Sequence, residues 1–212
     1  MVPEEAFEDI LFELERLPIK INSYRKKVGE GRSQAFGVVG KRGLPPDYSR
    51  QCWLRPYLYK LLLDFGNQYV TDISWNAITV NQNYSAGPHY DRHNRGDSYL
   101  VAFGKYTGGE LKIHEGDLSG NHNICGNPIV TDFSKVLHSV EPFEGYRCSL
   151  VYYWYDDPRS VPLPASSVRY EDGDWFFYRG DTRIIKSQGL PHPLRGRKKI
   201  ATPNLNGPGG KS

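Results

Sequence analysis

The chain has 212 residues and a formal net charge of +3, with 38% hydrophobic, 13% aromatic and 24% charged residues. This length suits one domain with its own core, and the composition excludes a disordered chain. No apolar run approaches the roughly 18 residues of a membrane span, and the three cysteines are too widely spaced for a disulfide framework or a zinc knuckle. We therefore expect an intracellular protein without a membrane segment.

Basic residues are concentrated at the C-terminal end. From residue 182 onward there are seven Lys and Arg and no Asp or Glu, which leaves residues 1–181 mildly acidic. We expect residues 1–186 to form a single domain and residues 187–212 to be a basic, flexible tail. Such a tail could contact the phosphates of a nucleic acid or simply be solvated.

Helical periodicity marks the N-terminal third of the chain. Apolar residues at helical spacing predict helices over residues 3–17 and 50–66, and Gly66 is the predicted stop of the second. Between them, alternating apolar residues in 19–39 predict two short strands, and residues 43–47 predict a turn.

From residue 73 to residue 155 the pattern changes to short β-rich runs separated by Gly, Asn, Pro and Asp clusters. This texture is typical of an antiparallel barrel or jelly roll rather than of a βαβ fold. We predict an α+β fold in which the N-terminal helices buttress a compact β core, with residues 156–181 wrapping that core.

Candidate metal ligands lie in this β-rich region. His89 and Asp91 are two residues apart, so in an extended segment both side chains point to one face. His138, from a distant strand, could complete a facial triad of two histidines and one carboxylate. Such a triad leaves positions open for non-haem Fe(II) to bind a cosubstrate and dioxygen together. The alternative is that both histidines are ordinary polar residues of the core or of loops.

A candidate anion site follows on the next strand. Arg147 stands nine residues after His138, and its guanidinium fork could grip a carboxylate through two hydrogen bonds. Ser149 would lie on the same face and add a hydroxyl, whereas Cys148 would point to the opposite face and into the core. The residues alone therefore predict a metal beside some dianion.

Taken together, these motifs resemble the Fe(II)- and 2-oxoglutarate-dependent dioxygenases of the double-stranded β-helix (jelly-roll, cupin-like) fold. The resemblance spans about residues 73–155 and includes the turn at Gly108 and Gly109. It implies that Fe(II) is held by three side chains, those of His89, Asp91 and His138. It also implies that Arg147 binds the far carboxylate of 2-oxoglutarate beside Ser149, with dioxygen as the second cosubstrate.

Within this superfamily the chain is most similar to the ten-eleven-translocation and J-base-binding-protein (TET/JBP) branch, which oxidises 5-methylpyrimidines in nucleic acid. The similarity rests on Asn81 and Asn83 and on the segment after His89. It implies that Asn94 hydrogen-bonds a flipped base and that Tyr153 stacks on it. Tyr155 completes the substrate set, at a position where the animal enzymes have a histidine.

Two alternatives stay open. The interval from His138 to Arg147 is shorter than in the animal enzymes of that branch, and nearer that of prolyl-hydroxylase-like members, which hydroxylate protein or peptide side chains. The third reading is a jelly-roll binding module with a vestigial triad.

If the substrate is a base in a nucleic-acid duplex, that base would have to be flipped out to reach the site. Tyr84 and Tyr90 would then help from an exposed surface, unless they pack the rim of the barrel.

Overall fold

The computed structural model describes residues 1–19, 29–41, 44–155 and 167–184. A turn of 3-10 helix (Glu4–Phe7) leads into the first of three helices, which are α1 (Glu8–Arg16), α2 (Gln51–Leu54) and α3 (Pro56–Tyr69). The strands of these ranges are β1 (Gly29–Lys41), β2 (Leu44–Tyr48), β3 (Ala77–Ala86), β4 (Asn94–Gly108), β5 (Leu111–Ile113), β6 (Gly120–His122), β7 (Ile129–Thr131), β8 (His138–Val140), β9 (Phe143–Tyr155), β10 (Val168–Glu171), β11 (Asp174–Arg179) and β12 (Thr182–Ile184).

These strands form three antiparallel sheets. The major sheet has the order β2-β1-β3-β9-β4-β7, the minor sheet has the order β6-β5-β8, and β10-β11-β12 form a separate meander. Leu100 and Val151 of the major sheet pack with Leu111 and Ile113 of the minor sheet in a core between the two. The fold is therefore α+β with a double-stranded β-helix, as predicted from the sequence.

Strand β9 serves two cores because its side chains alternate. Cys148 and Tyr152 belong to the core between the major sheet and the helices. Val151 belongs to the core between the sheets, and Arg147 and Ser149 line a cavity on that same side. The period of two in an extended strand produces this division. The prediction that Cys148 points away from its two neighbours is confirmed.

The helices cover the outer face of the major sheet. Leu14 of α1 and Leu58 and Leu62 of α3 are buried there, and the Tyr152 hydroxyl donates to the carbonyl oxygen of Leu62 at 2.7 Å. The β10–β12 meander packs on the helices and on the edge strand β2, where Phe177 also contacts the ring of Tyr48. Phe177 of β11 contacts the ring of Tyr59 on α3, at a centroid distance of 6.0 Å.

The turn predicted over residues 43–47 is wrong from residue 44 onward, and residue 43 is not described. Strand β2 begins at Leu44 and pairs with β1, with Val38 opposite Tyr48. It contains Pro45 and Pro46, which lack the N–H that a central strand needs. Because β2 is the edge of the major sheet, these prolines interrupt no inner ladder.

The predicted helix over residues 50–66 is two helices, and Gly66 does not end the second. Pro56 occupies the first turn of α3, which continues to Tyr69. At Gly66 the helix lies so close to the sheet that a Cβ would stand 2.5 Å from Trp75 and 2.7 Å from Tyr152. Glycine is therefore required by a close approach and not by a helix stop.

Several predictions lie partly or wholly outside the described residues. Of the region 19–39, the part from residue 29 belongs to the single strand β1, and residues 20–28 are not described. Residues 156–166, which belong to the segment predicted to wrap the core, and the predicted tail, 187–212, are not described either. The longest helix in the described ranges, α3, has 14 residues, and none of the described helices has the length and apolarity to cross a membrane.

We expect Gly66→Ala to lower the free energy of unfolding by about 1–3 kcal/mol, because the new methyl group overlaps Trp75 and Tyr152. In an exposed helix the same change would stabilise by about 0.5–1 kcal/mol. The sign of the change in the free energy of unfolding therefore shows whether residue 66 is tightly packed. Urea unfolding measures it. The control is Asn67→Ala, at the next and exposed position, with an effect within about 0.5 kcal/mol. A more stable Gly66→Ala protein would contradict this packing.

Candidate metal centre

Backbone pairing holds His89 and His138 side by side. The N–H of each donates to the carbonyl oxygen of the other, at 2.9 and 3.1 Å, and the two imidazole centroids are 4.3 Å apart. The Asp91 N–H donates to the Phe133 carbonyl oxygen at 2.9 Å, which lays the segment 89–91 along the chain that leads into β8. The three predicted ligands thus converge from two distant parts of the sequence.

Both imidazoles present a lone pair to Asp91. Nδ1 of His89 lies 2.8 Å from the Gly87 carbonyl oxygen, and Nδ1 of His138 lies 2.9 Å from that of Val136. Since a carbonyl only accepts, each Nδ1 carries the proton, and Nε2 is the ring atom that can bind a metal. The Nε2 atoms lie 3.6 and 3.9 Å from the two carboxylate oxygens of Asp91.

These distances suit one ion bound by all three side chains. They are too long for hydrogen bonds, and one ligand atom from each of the three side chains lies within 4.8 Å of the other two, close enough for the three to share one metal ion. Among the described residues no other group of three or more His, Cys, Asp or Glu side chains has this spacing. His138 is 7% exposed and His89 15%, so the site is sheltered but open on one side. Two imidazoles and one carboxylate are a donor set that fits Fe(II).

A cavity of about 450 Å³ lies on that open side, between the two sheets. Every residue that the sequence analysis predicted for the site borders it. They are the predicted ligands His89, Asp91 and His138, the predicted anion-binding pair Arg147 and Ser149, and the predicted substrate residues Asn94, Tyr153 and Tyr155.

Arg147 is a buried cation on the wall of this cavity. It is 2% exposed, and its Nε donates to the Gly109 carbonyl oxygen at 3.1 Å. The rings of Tyr106 and Phe143 lie 5.5 and 5.7 Å from the guanidinium carbon. Burial lowers the pKa of Arg147, and Tyr106 partly opposes that shift. Within the part of the chain that the structure describes, no Asp or Glu pairs with Arg147.

Tyr106 does not supply the missing negative charge. Burial raises the pKa of its hydroxyl well above the usual value, so the phenol is neutral at physiological pH. A buried guanidinium without a counter-charge is costly unless a ligand brings one. The Arg147 end of the cavity therefore has the charge to bind an anion.

Strand β3 supplies polar wall residues to which the sequence analysis gave no role. The Asn81 Nδ2 donates to Ser149 Oγ at 3.2 Å, and the Thr79 Oγ1 donates to the Tyr153 hydroxyl at 3.4 Å. Asn83 accepts the Arg147 backbone N–H at 2.8 Å. Thr79 and Asn81 border the cavity, and Asn83 continues their period of two at an exposed position outside it. That pattern is the sequence signal that could have found them.

The predicted substrate residues are anchored in different ways. Asn94 is 7% exposed, and its Nδ2 donates to Ser98 Oγ at 3.0 Å. Tyr153 and Tyr155 are half-buried, and the Tyr155 ring stacks on that of the exposed His93 at a centroid distance of 6.0 Å. Their rings thus form one wall near the mouth of the cavity.

The two other tyrosines considered for nucleic-acid contact, Tyr84 and Tyr90, lie in different environments. Tyr84 is 5% exposed and borders the cavity, so the expectation of an exposed ring is wrong for it. Tyr90 is half-buried, and its hydroxyl donates to the Glu115 carboxylate at 2.7 Å.

No protein-family model and no curated protein sequence matches this chain. Its fold does match solved structures. NgTET1 in complex with 5mC DNA superposes with a TM-score of 0.50 and 14% identity, over 73% of this chain and 69% of that one. An oxidoreductase of the 2OG-Fe(II) oxygenase family from Burkholderia pseudomallei gives 0.50 and 18%, over 74% and 80%.

A Pseudomonas putida prolyl-4-hydroxylase gives a TM-score of 0.46 and 16% identity, over 73% of this chain and 88% of that one. At identities this low, the matches concern the fold. The chain has the double-stranded β-helix fold that 2OG-Fe(II) oxygenases have.

We expect His89→Ala to weaken Fe(II) binding at least about 100-fold, since even residues that only support a metal ligand contribute about 10–100-fold. Anaerobic titration calorimetry measures the dissociation constant. His122→Ala is the matched control, because His122 lies on β6 and bonds to the Leu118 carbonyl oxygen, and it does not line the cavity. Equal affinities for the two variants would exclude His89 as a ligand.

Proposed function

We propose that the chain is an Fe(II)- and 2-oxoglutarate-dependent dioxygenase that hydroxylates the methyl group of a 5-methylpyrimidine base in nucleic acid. One observation carries the dioxygenase assignment. The buried Arg147 cation, which has no carboxylate partner in the described ranges, opens onto the same cavity as the His89, Asp91 and His138 cluster. The fold supports the same assignment.

2-Oxoglutarate has the chemistry that both ends of the cavity require. Its keto and adjacent carboxylate oxygens form a bidentate metal ligand, which suits an ion held by only three protein groups. Its second carboxylate supplies the counter-charge that Arg147 lacks, in the planar geometry that a guanidinium matches. The hydroxyl of Ser149 stands beside Arg147 on the same face of β9 and provides a further hydrogen bond.

The residues of the chain bind, orient and shelter the reactants. When bound, Fe(II) and 2-oxoglutarate together supply the chemistry that activates dioxygen. Val136 and Gly87 fix the imidazoles through their carbonyl oxygens, so both Nε2 atoms point to one place. Phe133 and Leu111 form an apolar wall that limits water at the site.

The mouth of the cavity supports a nucleic-acid base as substrate. The rings of Tyr153 and Tyr155 offer faces on which a base can stack, and Asn94 offers an amide to its edge. Arg92 is exposed and borders the cavity, and no Asp or Glu of the described residues pairs with its side chain. A cation at this position suits a phosphate that flanks a flipped base.

A protein or peptide side chain is the second candidate substrate. The Asn94 Nδ2 donates one of its two N–H groups to Ser98 Oγ, so fewer amide groups are left for a base. A peptide substrate does not require this amide. The short interval between His138 and Arg147, which spans β8 and the turn into β9, favours the same alternative.

Nucleoside mass spectrometry tests the complete proposal. The protein is incubated with Fe(II), 2-oxoglutarate, dioxygen and a 5-methylcytosine oligonucleotide, and then with a thymine oligonucleotide. We expect an oxidised methyl group and an equivalent amount of succinate from the wild-type protein and from His122→Ala, and neither product from His89→Ala. Succinate without an oxidised nucleoside would exclude the base and keep the oxygenase. No succinate on any substrate would favour a binding module.

The Asn94→Ala variant separates the two substrate classes. If Asn94 reads a base edge, its loss removes a hydrogen bond in the bound state and lowers kcat/KM for the oligonucleotide by about 10-fold or more. With a peptide substrate, turnover would barely change. Slow formation of succinate without substrate is the control, since Asn94 does not touch the anion site.

A thermal-shift measurement tests the role of Arg147 without turnover. With Mn(II) in place of Fe(II), 2-oxoglutarate at 100 times its Kd stabilises the wild-type protein by about 2.7 kcal/mol, which raises Tm by about 5–11 °C. In Arg147→Met we expect a rise below about 1 °C. The control is Lys105→Met, an exposed cation on β4 near Arg147 but outside the cavity. An undiminished rise in Arg147→Met would exclude Arg147 as the anion site.

A further inference from the structure

Glu115 connects the two chain segments that carry the proposed metal ligands. Its Oε1 accepts a hydrogen bond from the Tyr90 hydroxyl at 2.7 Å and another from the Leu137 backbone N–H at 2.9 Å. Tyr90 lies between the first two proposed ligands in the sequence, and Leu137 immediately precedes the third. One carboxylate oxygen therefore links the two ligand-bearing segments on the outer side of the site.

His114 holds the same segment from the neighbouring position. Its backbone N–H donates to the Leu137 carbonyl oxygen at 2.9 Å, and its Nε2 lies 2.9 Å from Ser139 Oγ, in hydrogen-bond contact. Ser139 follows His138 and is 6% exposed. We call His114 and Glu115, with these four hydrogen bonds, the His114–Glu115 clamp. It contacts the residues on both sides of His138 and the residue between His89 and Asp91.

We propose that Glu115 is a positioning residue for the metal site, which fixes the distance between the His89–Asp91 segment and His138 before a metal binds. This inference rests on the proposed function, because it assigns a role to Glu115 in holding Fe(II). Glu115 contacts none of the three ligands and acts through Tyr90 and Leu137.

The ligand set itself supplies a reason for such a clamp. The ligand atoms of two imidazoles and a carboxylate stand within 4.8 Å of one another, which is the spacing that a shared metal ion requires. The backbone pairing of His89 with His138 and groups outside the cavity hold this spacing. Hydrogen bonds to a charged acceptor are stronger than neutral ones, so a carboxylate suits this task.

The clamp lies at the surface, which separates its effect on the site from its effect on the fold. Glu115 is exposed, and hydrogen bonds at an exposed side chain contribute little to folding. Loss of both lowers Tm only modestly, by a few degrees. Residues that orient metal ligands in this indirect way contribute about 10–100-fold to metal affinity.

Anaerobic titration with Fe(II) and 2-oxoglutarate, followed by the visible charge-transfer band of the chelate, tests the proposal. We expect the Kd for Fe(II) to rise about 10–100-fold in Glu115→Ala. In Glu115→Gln, whose amide oxygen still accepts, we expect a smaller rise. Glu141→Gln is the matched control, because Glu141 follows β8 and pairs with Lys112 at 3.4 Å, away from Tyr90 and Leu137. Its affinity should equal that of the wild-type protein.

Amide hydrogen exchange of the metal-free proteins provides a second readout. We expect the peptide that contains Leu137, His138 and Ser139 to exchange at least about 5-fold faster in Glu115→Ala than in the wild-type protein, with no change in Glu141→Gln. A merely structural contribution would instead speed exchange throughout the molecule, in proportion to the loss of global stability.

The outcomes separate this inference from the proposed function. If the wild-type protein forms the chelate and Glu115→Ala binds Fe(II) within about 2-fold of it, the clamp is refuted and the oxygenase stands. A control variant that weakens binding as much as Glu115→Ala also refutes it. If the wild-type protein forms no chelate, the proposed function fails, and with it the role of Glu115 in holding iron.

Discussion

The reciprocal backbone hydrogen bonds between His89 and His138 are the contact on which the site depends. They join the segment that leads into β4 of the major sheet to β8 of the minor sheet. Each bond contributes only about 0.5–1.5 kcal/mol to folding, yet the geometric consequence is large. If the two sheets separated, the ligands would separate with them, so closure of the double-stranded β-helix and formation of the metal site are one event.

The same closure explains why the protein tolerates a buried cation. Strand β9 sends Cys148 and Tyr152 into the core under the helices, and this core stabilises the sheet whatever the cavity contains. Arg147 and Ser149, on the opposite face, are free to serve binding at a cost in stability. An uncompensated guanidinium lowers the stability of the ligand-free protein, and a dianion restores it. One face of β9 thus contributes stability, whereas the other face carries binding residues that lower it.

The sequence was informative where spacing within one segment decides geometry. A period of two places His89 with Asp91 and Arg147 with Ser149, and the structure has both arrangements around one cavity. It was uninformative where distant segments meet. Gly66 does not end a helix, and glycine stands there because Trp75 and Tyr152 leave no room for a Cβ. The sequence does not distinguish Glu115 from other acidic residues, because its partners Tyr90 and Leu137 come from elsewhere in the chain.

Chemistry and substrate choice reside in separable parts of the molecule. The proposed metal and anion sites are built from β8, β9 and the 89–91 segment, within the double-stranded β-helix. The proposed substrate residues lie at the mouth, where Asn94 begins β4 and Tyr155 ends β9, as opposed partners in the sheet. Asn94 is linked to the proposed metal ligands through its backbone, because its N–H donates to the Asp91 carbonyl oxygen at 2.9 Å. A change of side chain at the mouth keeps this bond, so under the proposed function substrate specificity can diverge there while the proposed metal and anion ligands are retained.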